Sequence, residues 1–257
     1  MKLNKRLGQH LLTDKTTISA ITQAIAPAPK QNICEIGPGL GAITLPVLKA
    51  AGAMHAVEID QVLSEELLKQ CQGVGTLTLH QGDVLKFDFH RLAKADQAIR
   101  LIGNLPYNIS TPLLFHLLQF SEVISDMHFM LQKEVAERIT ATPKTSEYSR
   151  LSVIMQSHHK VENLFDIASH MFSPPPKVTS CFIRMRPDPV TLGKIRSRTL
   201  FDQLVKTAFQ QRRKTIKNSL AKDVTEKELQ RAGIDPRNRP QEISVQQYIN
   251  LANLLLG

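Results

Sequence analysis

Apolar positions along the first two thirds of the chain recur in two alternating rhythms. Short apolar or strictly alternating runs cover residues 32–36 (NICEI), 53–59 (AMHAVEI), 76–80 (TLTLH), 98–103 (AIRLIG) and 127–131 (MHFML). Between them the spacing is helical, over 43–51, 61–70, 111–120 and 133–140. A period of two marks a half-buried strand, and a period near 3.6 marks a helix with one buried face. Strands separated by helices predict a mostly parallel α/β sheet, because parallel neighbours need a crossover. Two more strands are predicted at 160–165 and 178–184, flanking Pro174-Pro175-Pro176. Antiparallel edge strands commonly extend such a sheet.

Pro187 and Pro189 break this rhythm, and only helical spacing follows, at 199–209, 214–222, 226–232 and 245–256. Gly233 and Pro236 close the third of these helices. The chain therefore reads as a Rossmann-like domain over 1–187 and a small basic helical domain over 188–257.

Composition narrows the class. A chain of 257 residues with 42% hydrophobic and 21% charged positions is neither disordered nor fibrous. Its net charge of +9 is unevenly spread: residues 187–257 hold 13 Lys or Arg against 7 Asp or Glu. That excess points towards a polyanionic partner. Cys34, Cys71 and Cys181 show no paired spacing, which argues against a disulfide frame or zinc finger and for a reducing, cytoplasmic compartment. Cys34 and Cys181 fall in strand patterns, as packed thiols do. No HExxH or spaced Cys/His set occurs among the nine histidines, so no metal is expected. The first twelve residues are basic and polar, without the apolar core of a signal peptide. No run approaches the roughly 18 apolar residues of a membrane span.

Three constellations carry chemistry. Glu35-Ile36-Gly37-Pro38-Gly39-Leu40-Gly41 follows a predicted strand and opens a predicted helix, where glycines let a ligand approach the backbone. Glu58 ends the next strand, where an acid can bond ribose hydroxyls. Gly37, Gly39 and Ala42 also fit GxGxxA, so a nicotinamide dinucleotide stays open at this point. Gly82-Asp83 follows the third strand, where a carboxylate can accept from an adenine amine. Asn104-Leu105-Pro106-Tyr107 follows the fourth, and matches the (Asp/Asn)-Pro-Pro-Tyr type of motif with Leu105 replacing the first proline. In that motif an Asn oxygen and a backbone carbonyl accept the two hydrogens of an exocyclic amine, a proline stiffens the turn, and an aromatic ring stacks on the base.

Over essentially its full length the chain resembles the KsgA/RsmA small-subunit ribosomal RNA adenine dimethyltransferases. The matching stretches are 7–12 (LGQHLL), 35–40 (EIGPGL), 82–84 (GDV), 103–112 (GNLPYNISTP), 127–135 (MHFMLQKEV), 172–180 (FSPPPKVTS) and 209–220 (FQQRRKTIKNSL). The resemblance implies a class I S-adenosylmethionine-dependent methyltransferase domain with a seven-stranded sheet. It implies a substrate of two adjacent adenosines in the 3′-terminal hairpin loop of 16S rRNA, within the small ribosomal subunit or its precursor. It also implies a role in subunit biogenesis.

The resemblance carries over residue by residue. His10 and Leu12 belong to the segment that closes over the donor, although the family often has Asn at the position of His10 and Phe at that of Leu11. Gly37, Glu58 and Asp83 would contact donor backbone, ribose and adenine. Asn104 lies where donor and target pockets meet, with Leu105 and Pro106. Tyr107 and Phe172 would sandwich the target adenine. Lys5 and Arg6, with Lys2, form a basic arm, and Arg212, Arg213, Lys214 and Lys217 lie on one helical segment for RNA phosphates. The expected enzyme is a monomer. Its rivals are the related large-subunit resistance methyltransferases, a non-catalytic assembly factor on the same fold, and a NAD dehydrogenase, which leaves NLPY unexplained.

Overall fold

The structure, a computed structural model, describes residues 10–94 and 97–257. Seven strands form one sheet: β1 (Asn32–Ile36), β2 (Ala53–Glu58), β3 (Thr76–Gln81), β4 (Ile99–Asn104), β5 (Ile124–Gln132), β6 (His159–Ile167) and β7 (Ser180–Pro187). Their order is β3-β2-β1-β4-β5-β7-β6. The pairs from β3 through to β5 are parallel, and β5 meets β7 antiparallel. All seven predicted strands are present. β1 lies central and every residue of it is buried, the polar Asn32 and Glu35 included. β3, at the sheet edge, has no buried position and alternates exposed and half-buried ones over Thr76–Leu79.

The chain divides into two compact units. The first runs to Ala136 and takes in Glu162–Pro187. Its helices are α1 (Lys15–Ile25), α2 (Thr44–Ala51), α3 (Gln61–Gln70) and α4 (Ser110–Leu117), with the start of α5 (Lys133–Thr140). Ile21, Ile25, Ile33, Val47, Leu48, Met54, Leu67 and Ile102 share its core. α1 was not predicted: it turns only Ile21 and Ile25 fully inward, too sparse a stripe to read. Asp14 caps its start, accepting from the Thr17 N–H at 2.7 Å. At its other end Arg100 of β4 donates to the Ile25 carbonyl at 2.7 Å while pairing with Asp126 of β5 at 2.9 Å. That bidentate pair pins the helix end to the sheet.

The second unit is Glu137–Val161 with Asp188–Gly257. Its helices are α6 (Arg150–His158), α7 (Pro189–Leu192), α8 (Arg198–Gln210), α9 (Ile216–Ser219), α10 (Glu226–Arg231) and α11 (Val245–Leu254). Residues 137–161 thus group with the helices, whereas the sequence reading placed them in 1–187. The physical reason is α6, which packs on α8. All of Leu151–Met155 is buried and no residue of α6 is exposed, so no solvent-facing stripe left a periodic signal. Tyr148 and Tyr248 are fully buried, and their rings lie 6.4 and 6.1 Å from Phe209. The predicted helix over 214–222 shrinks to the single turn of α9.

Candidate functional site

The carboxyl ends of β1, β2, β3 and β4 converge on a cavity of about 340 Å³. Strand order reverses between β1 and β4, and open α/β sheets bind ligands at that edge. Gly103 permits the approach: a Cβ there would stand 2.5 Å from the Ile36 carbonyl oxygen of β1. Only glycine lets β4 deliver Asn104 against the loop that follows β1.

That loop turns through Gly37, Gly39 and Gly41, at φ of 64°, 57° and 84°. Side chains are strained in this left-handed region, so the sequence leaves a bare, concave backbone. Leu11 crosses it closely, 3.1 Å from where a Gly39 Cβ would be. Glu58, 4% exposed, closes the far side. Its Oε1 accepts from the N–H groups of Ile59 and Asp60, each at 2.9 Å, and its Oε2 from Gly39 at 3.2 Å. Burial pushes this carboxyl up and the three backbone donors pull against it. A carboxylate has about four acceptor positions, so one remains for a ligand hydroxyl. Asp83 spends Oδ1 on the Leu85 N–H, capping a short turn, and still lines the cavity.

Asn104 closes the cavity from β4. Its Nδ2 donates to the His10 carbonyl at 2.9 Å. A carbonyl only accepts, so the nitrogen must face His10 and the oxygen is left as the acceptor. The Leu105 N–H donates to Met130 of β5 at 3.1 Å, and Ile109 to Pro106 at 3.1 Å, which locks the NLPY turn to the sheet. Tyr107 lines the cavity and its hydroxyl meets Ser180 Oγ at 2.7 Å. The His10 ring lies 5.6 Å from the Tyr107 ring, inclined by 31°. A cavity with an acid on one side, a fixed amide acceptor and an aromatic wall suits a nucleoside-bearing donor and a flat acceptor.

A family model for ribosomal RNA adenine dimethylase matches residues 1–256. The chain belongs to this family. It is 46% identical to the ribosomal RNA small subunit methyltransferase A of Chromobacterium violaceum, over 98% of this chain and 95% of that one. It is also 46% identical to the protein of that name from Nitrosococcus oceani, over 99% and 97%. A dimethyladenosine transferase from Plasmodium falciparum superposes with a TM-score of 0.81 at 24% identity, covering 94% of this chain and 96% of that one. The 23S rRNA methyltransferase ErmE gives 0.72 at 22%, over 96% and 100%. These two solved structures share the fold.

Within this dimethylase, the cavity gathers His10, Leu12, Gly37, Glu58, Asp83, Asn104, Leu105, Pro106 and Tyr107 from distant parts of the sequence. Phe172, expected as the second face for a base, does not line it. It is 3% exposed and packs in the core, paired in a two-residue antiparallel ladder with Leu12. Its apolar ring gains more from that packing than from an open wall. Lys2, Lys5 and Arg6 lie outside the described residues. Arg212, Arg213 and Lys214 occupy the turn between α8 and α9 instead of a helix, with Lys217 alone on α9. All four are exposed. Arg212 donates to the Ser146 carbonyl, and Lys217 pairs with Glu226 at 2.5 Å.

Ile59 and Glu35 also line the cavity, though the sequence assigned neither a role of its own. Ile59 is 51% exposed beside Glu58, an apolar surface for a flat ring. Glu35 is 2% exposed, accepts from Thr44 Oγ1 at 2.6 Å, and is raised to about 7 by burial. A lone charge inside NICEI was its signal. Among the described residues no group of three His, Cys, Asp or Glu could hold a metal. Among the same described residues, no helix is long and apolar enough to cross a membrane.

Proposed function

We propose that this dimethylase acts on two adjacent adenosines in the 3′-terminal hairpin loop of 16S rRNA, converting each to the N6,N6-dimethyl form. The RNA is presented in the small ribosomal subunit or its precursor, in the cytoplasm, and the enzyme works as a monomer without a metal. S-adenosylmethionine supplies an electrophilic methyl group on a sulfonium. Gly37 and Gly39 offer the backbone cradle, Glu58 the ribose acceptor, Asp83 the adenine acceptor, and Ile59 the ring's apolar neighbour.

The observation that carries this reading is the Asn104 amide, locked with its oxygen as acceptor beside the glycine loop and Tyr107. An adenine amine is a poor nucleophile because its lone pair conjugates with the ring. Asn104 Oδ1 and the Leu105 carbonyl, each accepting one amine hydrogen, draw the nitrogen towards tetrahedral geometry. The nitrogen then forms its bond to the methyl carbon as the carbon–sulfur bond breaks, sulfur keeps the pair, and the proton leaves to water. Near-attack positioning of this kind contributes about 7–11 kcal/mol. Two acceptors favouring the developing positive charge add about 3 kcal/mol, by analogy with a lost oxyanion donor. Tyr107, anchored through Ser180, faces the extruded base, and leaving its stack costs least in a loop. Phe172 reaches the opposite face of that base only by leaving its packed position. The exposed cations at 212–217 hold RNA phosphates.

The test combines purified protein, methyl-labelled donor and small subunits lacking the hairpin modification. Dimethyladenosine at two adjacent loop positions is the expected result, and Asn104→Ala should lower transfer at least about 100-fold with RNA binding intact. Label in large-subunit RNA would favour the resistance-type activity. No label, with RNA bound, would favour an assembly factor.

A further inference from the structure

The segment 10–14 is not a simple cover. Its backbone rides on residues 171–174. Thr13 and Asp14 donate to the Met171 carbonyl at 3.0 and 3.4 Å, and Leu11 and Leu12 pair with Ser173 and Phe172. His10 extends this ladder with its side chain, Nδ1 standing 2.8 Å from the Pro174 carbonyl. A carbonyl only accepts, so Nδ1 carries the hydrogen. The same residue's own carbonyl takes the Asn104 amide, and its ring lies against Tyr107.

Resting on the functional reading above, we propose that His10 is the positioning residue of the acceptor site. Its carbonyl keeps the Asn104 oxygen turned towards the amine, and its imidazole ties that alignment to the Phe172–Pro174 segment. The consequence is sharpest for the second transfer. Adenosine offers two amine hydrogens to Asn104 Oδ1 and Leu105, but monomethyladenosine offers one. An Asn104 amide free to rotate would then present its N–H₂ to the methylated nitrogen and oppose its attack. The His10 carbonyl forbids that rotation. His10 is thus a determinant of dimethyl over monomethyl product, although it touches neither hydrogen.

His10→Phe keeps a ring against Tyr107 and removes the donor to Pro174. His10→Asn restores a side-chain N–H. For wild type and both variants, the ratio of monomethyl to dimethyl adenosine is measured by mass spectrometry, with kcat and KM for donor and RNA. Melting curves matching wild type establish that each variant folds. The expected result for His10→Phe is a kcat about tenfold lower, both KM values within about twofold, and monomethyl product accumulating. His10→Asn should return most of the dimethyl product. A raised donor KM with the product ratio unchanged would make His10 a donor-cover residue and overturn the proposal, as would wild-type kinetics in His10→Phe. A wild-type chain that transfers no methyl group overturns the functional reading, and this inference with it.

Discussion

Glu35 shows how one buried atom pair can report on the cavity. Burial raises its carboxyl to about 7, the Thr44 hydroxyl opposes this, and the charge of Glu58 adds to it. A cation brought into the cavity favours the ionised form. Binding a sulfonium donor therefore expels a proton wherever free Glu35 is partly protonated. The sign follows: donor affinity rises with pH through about 7 and levels off above it, where Glu35 is already ionised. Titration calorimetry in two buffers of different ionisation enthalpy counts that proton. Release of about half a proton at pH 7 is expected for wild type, and close to none for Glu35→Gln. Equal release in both proteins would remove Glu35 from this role.

At the scale of elements, the turn between α8 and α9 carries the prediction. Arg212 is engaged with Ser146, and Lys217 with Glu226, so these two contribute to internal structure. Arg213 and Lys214 are exposed on the same turn. The double change Arg213→Ala/Lys214→Ala should weaken RNA binding and flatten the plot of log affinity against log salt by about 0.7–0.9 per lost phosphate contact. An unchanged slope would return the turn to a merely solvated surface.

The same elements explain what the sequence could and could not reveal. β1 to β4 were legible because each is bounded by glycine, proline or polar turns and carries a period of two or a short, mostly apolar run. The residues at their carboxyl ends, Gly37, Glu58, Asp83 and Asn104, were legible with them, since a strand end is where a parallel sheet exposes chemistry. α1 and α6 were not, one burying too few residues and the other too many to leave a stripe. Arg212, Arg213, Lys214 and Lys217 are expected on one helical segment, and the resemblance sets Phe172 against the target base. Tertiary packing, invisible to local spacing, decides both. The bond from Asn104 to His10 spans 94 residues and has no local signature at all.

Over the whole molecule, each unit conceals a histidine that acid would expose. His128 in the first is 1% exposed with neither ring nitrogen hydrogen-bonded, and His159 in the second is 4% exposed. Burial lowers both to about 4. At His128, Asp126 opposes that fall, and Arg100, Arg184 and Arg186 reinforce it. A histidine lowered on folding is neutral in the folded chain and takes up a proton first in the unfolded one. Its contribution is complete above the unfolded value of about 6.5 and is lost as pH falls towards about 4. Glu35, Glu58 and Asp202 are raised by burial, so they favour folding at low pH and mask the trend in wild type alone. The difference between wild type and His128→Leu cancels them, because both proteins share those groups. Leucine fills a similar volume and neither titrates nor needs a partner. Relative to wild type, His128→Leu should gain about 1.6 kcal/mol between pH 6.5 and pH 5, since the slope rises from half of about 1.4 kcal/mol per pH unit at pH 6.5 towards the full one-proton value. Urea unfolding of the two proteins at both pH values measures it. A constant difference would mean that His128 is not buried neutral, and would put its charge into the Arg100–Asp126 cluster instead.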